Sequence, residues 1–106
     1  MNLPLKTDLS GKTAVVTGAG GVLCSVFSKA LAAAGAKVAL LNRTLANAEV
    51  VAEEIRANGG TAKAYQCNVL SKEDLERCRE EVSRDFGPCD ILINGAGGNN
   101  ARATTD

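Results

Sequence analysis

The sequence has 106 residues, 45% of them hydrophobic, and its twelve Lys and Arg are balanced by twelve Asp and Glu. That is room for one globular domain with a modest core, and it excludes an intrinsically disordered chain. Zero net charge with no basic stripe excludes a nucleic-acid partner, and with no bilayer-length apolar run or charged leader, the expectation is a cytoplasmic protein with no membrane partner.

Met1 to Gly11 reads as an irregular arm, in which Asp8-Leu9-Ser10-Gly11 has turn chemistry and Leu9 is placed to tuck against a sheet. Lys12 to Thr17 is a predicted first strand. The glycine-rich turn Gly18-Ala19-Gly20-Gly21 follows, and Leu23, Val26, Phe27, Ala30, Leu31 and Ala34 recur at helical spacing over Val22 to Ala34. Gly35 suits the left-handed residue just past that helix. Lys37 to Leu41 is a second, nearly continuous apolar strand, the mark of a parallel crossover with both sheet faces covered.

The unit then repeats. Leu45, Ala48, Ala52 and Ile55 share one face of a helix from about Thr44 to Asn58, and Gly59-Gly60 leads to a strand from Ala62 to Cys67. Ser71-Lys72-Glu73-Asp74 has the capping-box arrangement, and Leu75, Cys78, Val82 and Phe86 line the inner face of the third helix, which Gly87-Pro88 ends. Asp90 to Asn94 is a fourth strand that runs into a second glycine-rich loop, Gly95-Ala96-Gly97-Gly98. The order βαβαβαβ predicts an α/β fold, a Rossmann-type doubly wound parallel sheet in spatial order 3-2-1-4. Four cysteines without a CxxC pair, and no histidine, provide no usual zinc ligand set. Cys24, Cys67, Cys78 and Cys89 read as small buried residues of a reducing compartment, and none as a nucleophile.

In such a sheet, ligands bind at the carboxyl ends of the strands flanking the reversal in strand order, here the first and fourth. Both glycine-rich loops leave those two strands. Glycines allow backbone N–H groups to approach a ligand, and a helix N-terminus attracts an anion; two such loops over one crevice point to an adenine dinucleotide. Gly18, Gly20, Gly21 and Leu23 are the candidates in the first loop, and Ala96 and Gly97 in the second. An acidic residue at the end of the second strand holds the ribose of NAD. Asn42-Arg43 stands there instead, and a guanidinium binds a 2′-phosphate through charge-assisted bonds of about 1.5–3 kcal/mol, so NADP is favoured and NAD possible. Alternatively, Arg43 is a solvated loop residue and Asn42 caps the next helix. Asn68-Val69 leaves the third strand either to line an adenine pocket or to shape a turn. Asn94 closes the fourth strand, facing a cofactor or bridging strand ends.

The chain resembles the short-chain dehydrogenase/reductase family over essentially its whole length. Thr17-Gly18-Ala19-Gly20-Gly21-Val22-Leu23-Cys24 is similar to that family's TGxxxGxG loop, Asn68-Val69 to its DV pair and Asn94-Gly95-Ala96-Gly97 to its NNAG. Leu41-Asn42-Arg43-Thr44 and Gly98-Asn99-Asn100 extend the resemblance to the D-mannonate oxidoreductase or fructuronate reductase subgroup. Val22 and Cys24 stand where the family has glycines, Asn68 where it has aspartate and Gly95 where it has asparagine.

The resemblance implies hydride transfer between a nicotinamide and a carbonyl or secondary alcohol, a sugar acid such as fructuronate or mannonate. It also implies a serine, a Tyr-x-x-x-Lys pair and an asparagine as the catalytic set, all expected beyond Asp106. Tyr65, the one tyrosine, is followed four residues on by Val69 and does not match, so no catalytic residue is assigned. Residues 1–106 are accordingly expected to be the NAD(P)-binding part of a longer, homo-oligomeric enzyme whose remaining half builds the pocket for a small-molecule substrate. A non-catalytic NAD(P)-binding regulator or sensor is the alternative, and a Tyr-x-x-x-Lys downstream in the gene separates the two.

Overall fold

The computed structural model describes residues 8–95; the rest of the N-terminal arm, Ala96, Gly97 and the residues after them lie outside. Seven elements alternate as expected: β1 (Thr13–Thr17), α1 (Val22–Ala33), β2 (Lys37–Asn42), α2 (Leu45–Ala57), β3 (Thr61–Gln66), α3 (Lys72–Phe86) and β4 (Ile91–Asn94). All strand pairs are parallel and the order is β3-β2-β1-β4, the predicted doubly wound arrangement.

Alternate side chains of each strand enter opposite layers. On one face Ala14, Val16, Val38 and Leu40 meet Ala32 of α1 and Ala48, Val51, Ala52 and Ile55 of α2. On the other, Val15, Ala39 and Leu41 meet Tyr65, Cys67 and, from α3, Cys78 and Val82. Burial on both faces is why β1 and β2 read as continuous apolar runs. Burying each Val or Leu contributes about 1.5–3 kcal/mol, so these two central strands carry most of the cohesion.

The helix faces differ in part from the sequence pattern. In α1 the buried positions are Cys24, Ser28, Ala30 and Ala32, and the Ser28 hydroxyl donates to the Cys24 carbonyl at 2.7 Å. Val22, Leu23 and Phe27 stay exposed. Small side chains face the sheet because they let the helix lie close to it, and periodicity alone does not distinguish two apolar stripes on one helix. In α2, Leu45 is likewise exposed and Val51 takes its place in the core. Leu9 packs against the α1–α2 side, as expected, and its N–H donates to the Ala34 carbonyl. Gly35, at φ 106°, makes the left-handed turn after α1.

Polar contacts fix the amino-terminal edge of the sheet. The Phe86 carbonyl at the end of α3 accepts from Lys37 Nζ at 2.7 Å and from Thr13 Oγ1 at 3.1 Å. The Asp90 carboxylate accepts from the Thr13 N–H at 2.9 Å. Tyr65 is a core residue: its hydroxyl donates to Asp85 Oδ2 at 2.7 Å, and Lys63 Nζ donates to the same oxygen at 2.8 Å. Cys24, Cys67 and Cys78 are buried, but Cys89 is exposed. It lies in the turn before β4, beyond the end of α3, where its thiol donates to the Ile91 carbonyl at 3.3 Å. Among the described residues, no helix is long and apolar enough to cross a membrane.

Bonds from Lys63 and Tyr65 hold the Asp85 carboxyl below its ordinary value. The unfolded chain therefore binds the proton first on acidification, so the stabilisation is complete above the unfolded pKa of about 3.9 and is lost as pH falls through the lower folded value. Asp85→Asn should lower the urea midpoint at neutral pH and flatten its decline below about pH 4, where the parent loses this contribution.

Candidate functional site

The strand register brings the carboxyl ends level: Thr17 lies beside Leu41 on β2 and Asn94 on β4, and Asn42 beside Gln66 on β3. Thr17 ties β1 to β4 there. Its hydroxyl donates to Asn94 Oδ1 at 2.8 Å, and its hydroxyl and carbonyl oxygens both accept from the Gly95 N–H at 3.1 Å. Asn94 thus bridges strand ends. Thr17 is absent from the sequence-derived site set, although its place at the head of the glycine loop was the available signal.

Gly18 turns the chain at φ 67°, a conformation that other residues adopt at a cost. The Gly21 N–H donates to the Gly18 carbonyl at 3.1 Å, and the Ala19 N–H to the Leu41 carbonyl at 3.2 Å, so the loop is pinned to the end of β2. A Cβ on Gly20 would lie 2.7 Å from Asn42 Nδ2 and 2.8 Å from Asn47 Cβ; glycine is needed there for space. Gly21 is the N-cap of α1, with no side-chain cap and no acidic residue in the first turn. The first helical bond runs from the Ser25 N–H to the Gly21 carbonyl. The N–H groups of Val22, Leu23 and Cys24 are therefore left at the positive end of the helix, as an anion requires. Leu23 itself is 60% exposed, so what it places at the helix head is its N–H and not a packed side chain.

Asn42 does not cap α2. Its Nδ2 donates to the Thr44 carbonyl at 2.8 Å, and Thr44 is the N-cap. The amide bends the chain after β2 and backs the Gly20 turn. Arg43 is exposed, and its guanidinium has no carboxylate partner among the described residues. Asn68 shapes a turn: its Oδ1 accepts from the Leu70 N–H at 3.1 Å. Its own N–H donates to Asp74 Oδ2 at 2.6 Å. The capping box is thus half used. Ser71 Oγ accepts from the Asp74 N–H at 3.2 Å, while the Asp74 carboxylate turns to Asn68 and to Arg77, which donates at 2.6 Å. Those bonds, that from Asn68 first, hold the Asp74 carboxyl below its ordinary value. Asp74 is a second residue missed from sequence, signalled only as a cap.

Gly18, Asn42, Arg43, Cys67, Asn68 and Val69 line one cavity of about 210 Å³ at the ends of β1, β2 and β3. The structure therefore brings five of the expected residues around one space and sets Gly20, Gly21, Leu23 and Asn94 in the loops beside it; Ala96 and Gly97 lie outside the described residues. A wider hollow of about 550 Å³ is walled only by charged side chains of α3 and encloses nothing. Cys67 Sγ, Cys78 Sγ and an Asp74 oxygen lie within 4.8 Å of one another. Burial pushes both thiols up, Cys67 to about 12, and the Asp74 oxygens already hold Asn68 and Arg77, so the trio favours protonated thiols over a cation.

The short chain dehydrogenase family profile matches residues 12–106. An uncharacterized oxidoreductase of Haemophilus influenzae is 52% identical over 106 residues, all of this chain and 37% of the relative. Among solved structures, a candidate D-mannonate oxidoreductase from Haemophilus influenza with bound NAD is 53% identical with a TM-score of 0.85, covering 94% of this chain and 36% of that one. A metagenomic short-chain oxidoreductase in complex with NADP is 32% identical with a TM-score of 0.78, covering 82% of this chain and 39% of that one. The chain thus spans little more than a third of the length of these relatives.

Because Gly18 sits in left-handed space, Gly18→Ala should destabilise the protein by about 1–2 kcal/mol, read as a lower urea midpoint at unchanged slope.

Proposed function

The chain belongs to the short-chain dehydrogenase family, and we propose that it is the NAD(P)-binding part of an oxidoreductase. The cavity between the ends of β1, β2 and β3, opening beside the uncapped N-terminus of α1, carries this reading. The residues present fit a dinucleotide: the loop has no Cβ at Gly18, Gly20 or Gly21, and the N–H groups after Gly21 take the pyrophosphate. Adenosine occupies the cavity between Gly18 and the Asn68 turn, with Val69 as its apolar wall. A bound nicotinamide dinucleotide supplies the hydride donor or acceptor for a carbonyl or secondary alcohol.

NADP is the preferred form. Asn42 offers no charge to repel a 2′-phosphate, and Arg43 has its guanidinium open beside the cavity. NAD is the second reading, favoured by its presence in the 53% identical neighbour. A sugar acid is the proposed substrate class, supported by the mannonate assignment of that same neighbour. The substrate pocket and the catalytic Ser and Tyr-x-x-x-Lys are assigned to the rest of a cytoplasmic, homo-oligomeric enzyme.

Titration of the gene's complete product with NADPH and NADH, followed by nicotinamide fluorescence, tests this. Saturable binding that favours NADPH is expected, with Arg43→Ala losing about tenfold or more for NADPH and little for NADH. Binding that favours NADH and ignores Arg43→Ala selects the NAD reading. A folded product that binds neither nucleotide overturns the function.

A further inference from the structure

Two positions at which the sequence departs from the family's motifs, Cys24 and Gly95, meet in the structure. Gly95 follows β4, and its φ is not among the positive values, so its backbone does not call for glycine. Space does. A Cβ built on it would fall on Cys24 Sγ and stand 3.1 Å from the Thr17 carbonyl oxygen. Cys24 reaches this point from the first turn of α1, where it is 9% exposed and burial keeps its thiol protonated. Its sulfur therefore fills, as a small neutral group, the volume that any side chain at 95 would take. The Thr17 carbonyl oxygen that borders this volume also accepts from the Gly95 N–H, as the Thr17 hydroxyl does, so Gly95 is held against the sulfur.

We propose that Cys24 and Gly95 are a sterically matched pair, in which Cys24 is a positioning residue. Its sulfur sets how closely Gly95 approaches the N-terminus of α1, and hence the width of the crevice for the nicotinamide dinucleotide. The pair admits a side chain at 24 or at 95, not at both. This inference rests on the cofactor reading above.

The experiment is a double-mutant cycle in the gene's complete product, with the dissociation constant for the preferred nicotinamide nucleotide and the urea midpoint both measured. Gly95→Ala alone should weaken binding about tenfold or more, because the added methyl must displace the Cys24 sulfur or shift the backbone at 95. Cys24→Gly with Gly95→Ala should return affinity to within about threefold of the parent, even though a glycine in α1 lowers the midpoint. Cys24→Ser, close in volume, should also bind within about threefold, which separates volume from sulfur chemistry. If Gly95→Ala does not fold, recovery of folding and binding in the double variant supports the match. Additive effects on both measurements overturn it, and a midpoint that shifts while affinity stays constant in every variant reduces Cys24 to a packing residue. A parent that binds no nucleotide overturns the positioning role through the cofactor reading, whereas a non-additive midpoint cycle in that parent would keep the steric match.

Discussion

The hydroxyl of Thr17 holds together the place where the sheet reverses its order. The alternation of helices builds β3, β2 and β1 outward in one direction and then sends the chain back to set β4 on the other side of β1. In sheets of this kind the strand ends at such a reversal flank a crevice, which requires β1 and β4 to finish level. Thr17 enforces this by donating to Asn94 and accepting from Gly95, which ties the side chain of one strand end to the backbone of the next. A buried hydroxyl with all its bonds made is rigid, because releasing any one of them leaves a polar group unsatisfied. The glycine loop departs from that fixed point.

Around it the polar groups are largely committed to one another. Asn42 bonds the Thr44 carbonyl, Asn68 bonds the Leu70 N–H, and Asp74 takes the Asn68 N–H together with Arg77. Asp74 thereby links the first turn of α3 to the turn after β3, so packing of α3 on the second core layer and shaping of the cavity wall are one structural event. Among the described residues, buried side-chain nitrogens and oxygens all have partners. The turns that line the cavity are thus held by the protein's own bonds, and walls fixed in this way lower the ordering cost of any binding there.

The elements and their order were legible in the sequence because each is written locally. The apolar runs of β1 and β2, Gly35 after α1 and the Ser71 cap of α3 each depend on neighbours within a few residues. What was not legible depends on contacts distant in sequence. Leu23 and Phe27 are as apolar as any core residue, yet α1 turns Cys24 and Ser28 to the sheet, since closeness of packing, not hydrophobicity, selects the face. Asp74 was visible as a cap but its bond to Asn68 was not, because several donors compete for one carboxylate and only geometry decides. Cys89 shows the reverse failure: a residue type that is usually buried lies exposed in the turn before β4.

With the side chains so committed, what remains open at the site is positively polarised: the N–H groups after Gly21 at the head of α1, and the guanidinium of Arg43. Neither arises from the chain as a whole, whose formal charge is zero, so any attraction is local and directional. The two also differ in kind. Helix N–H groups select an anion by geometry at short range, whereas an exposed arginine acts on charge and is screened by salt. A ligand that engages both carries negative charge at two separate points, as the pyrophosphate and 2′-phosphate on the ribose of a phosphorylated dinucleotide do. Salt should therefore erode any discrimination at the Arg43 end before it erodes binding at the helix, so that under the proposed NAD(P) reading cofactor preference would be a weaker, more adjustable property than cofactor binding itself.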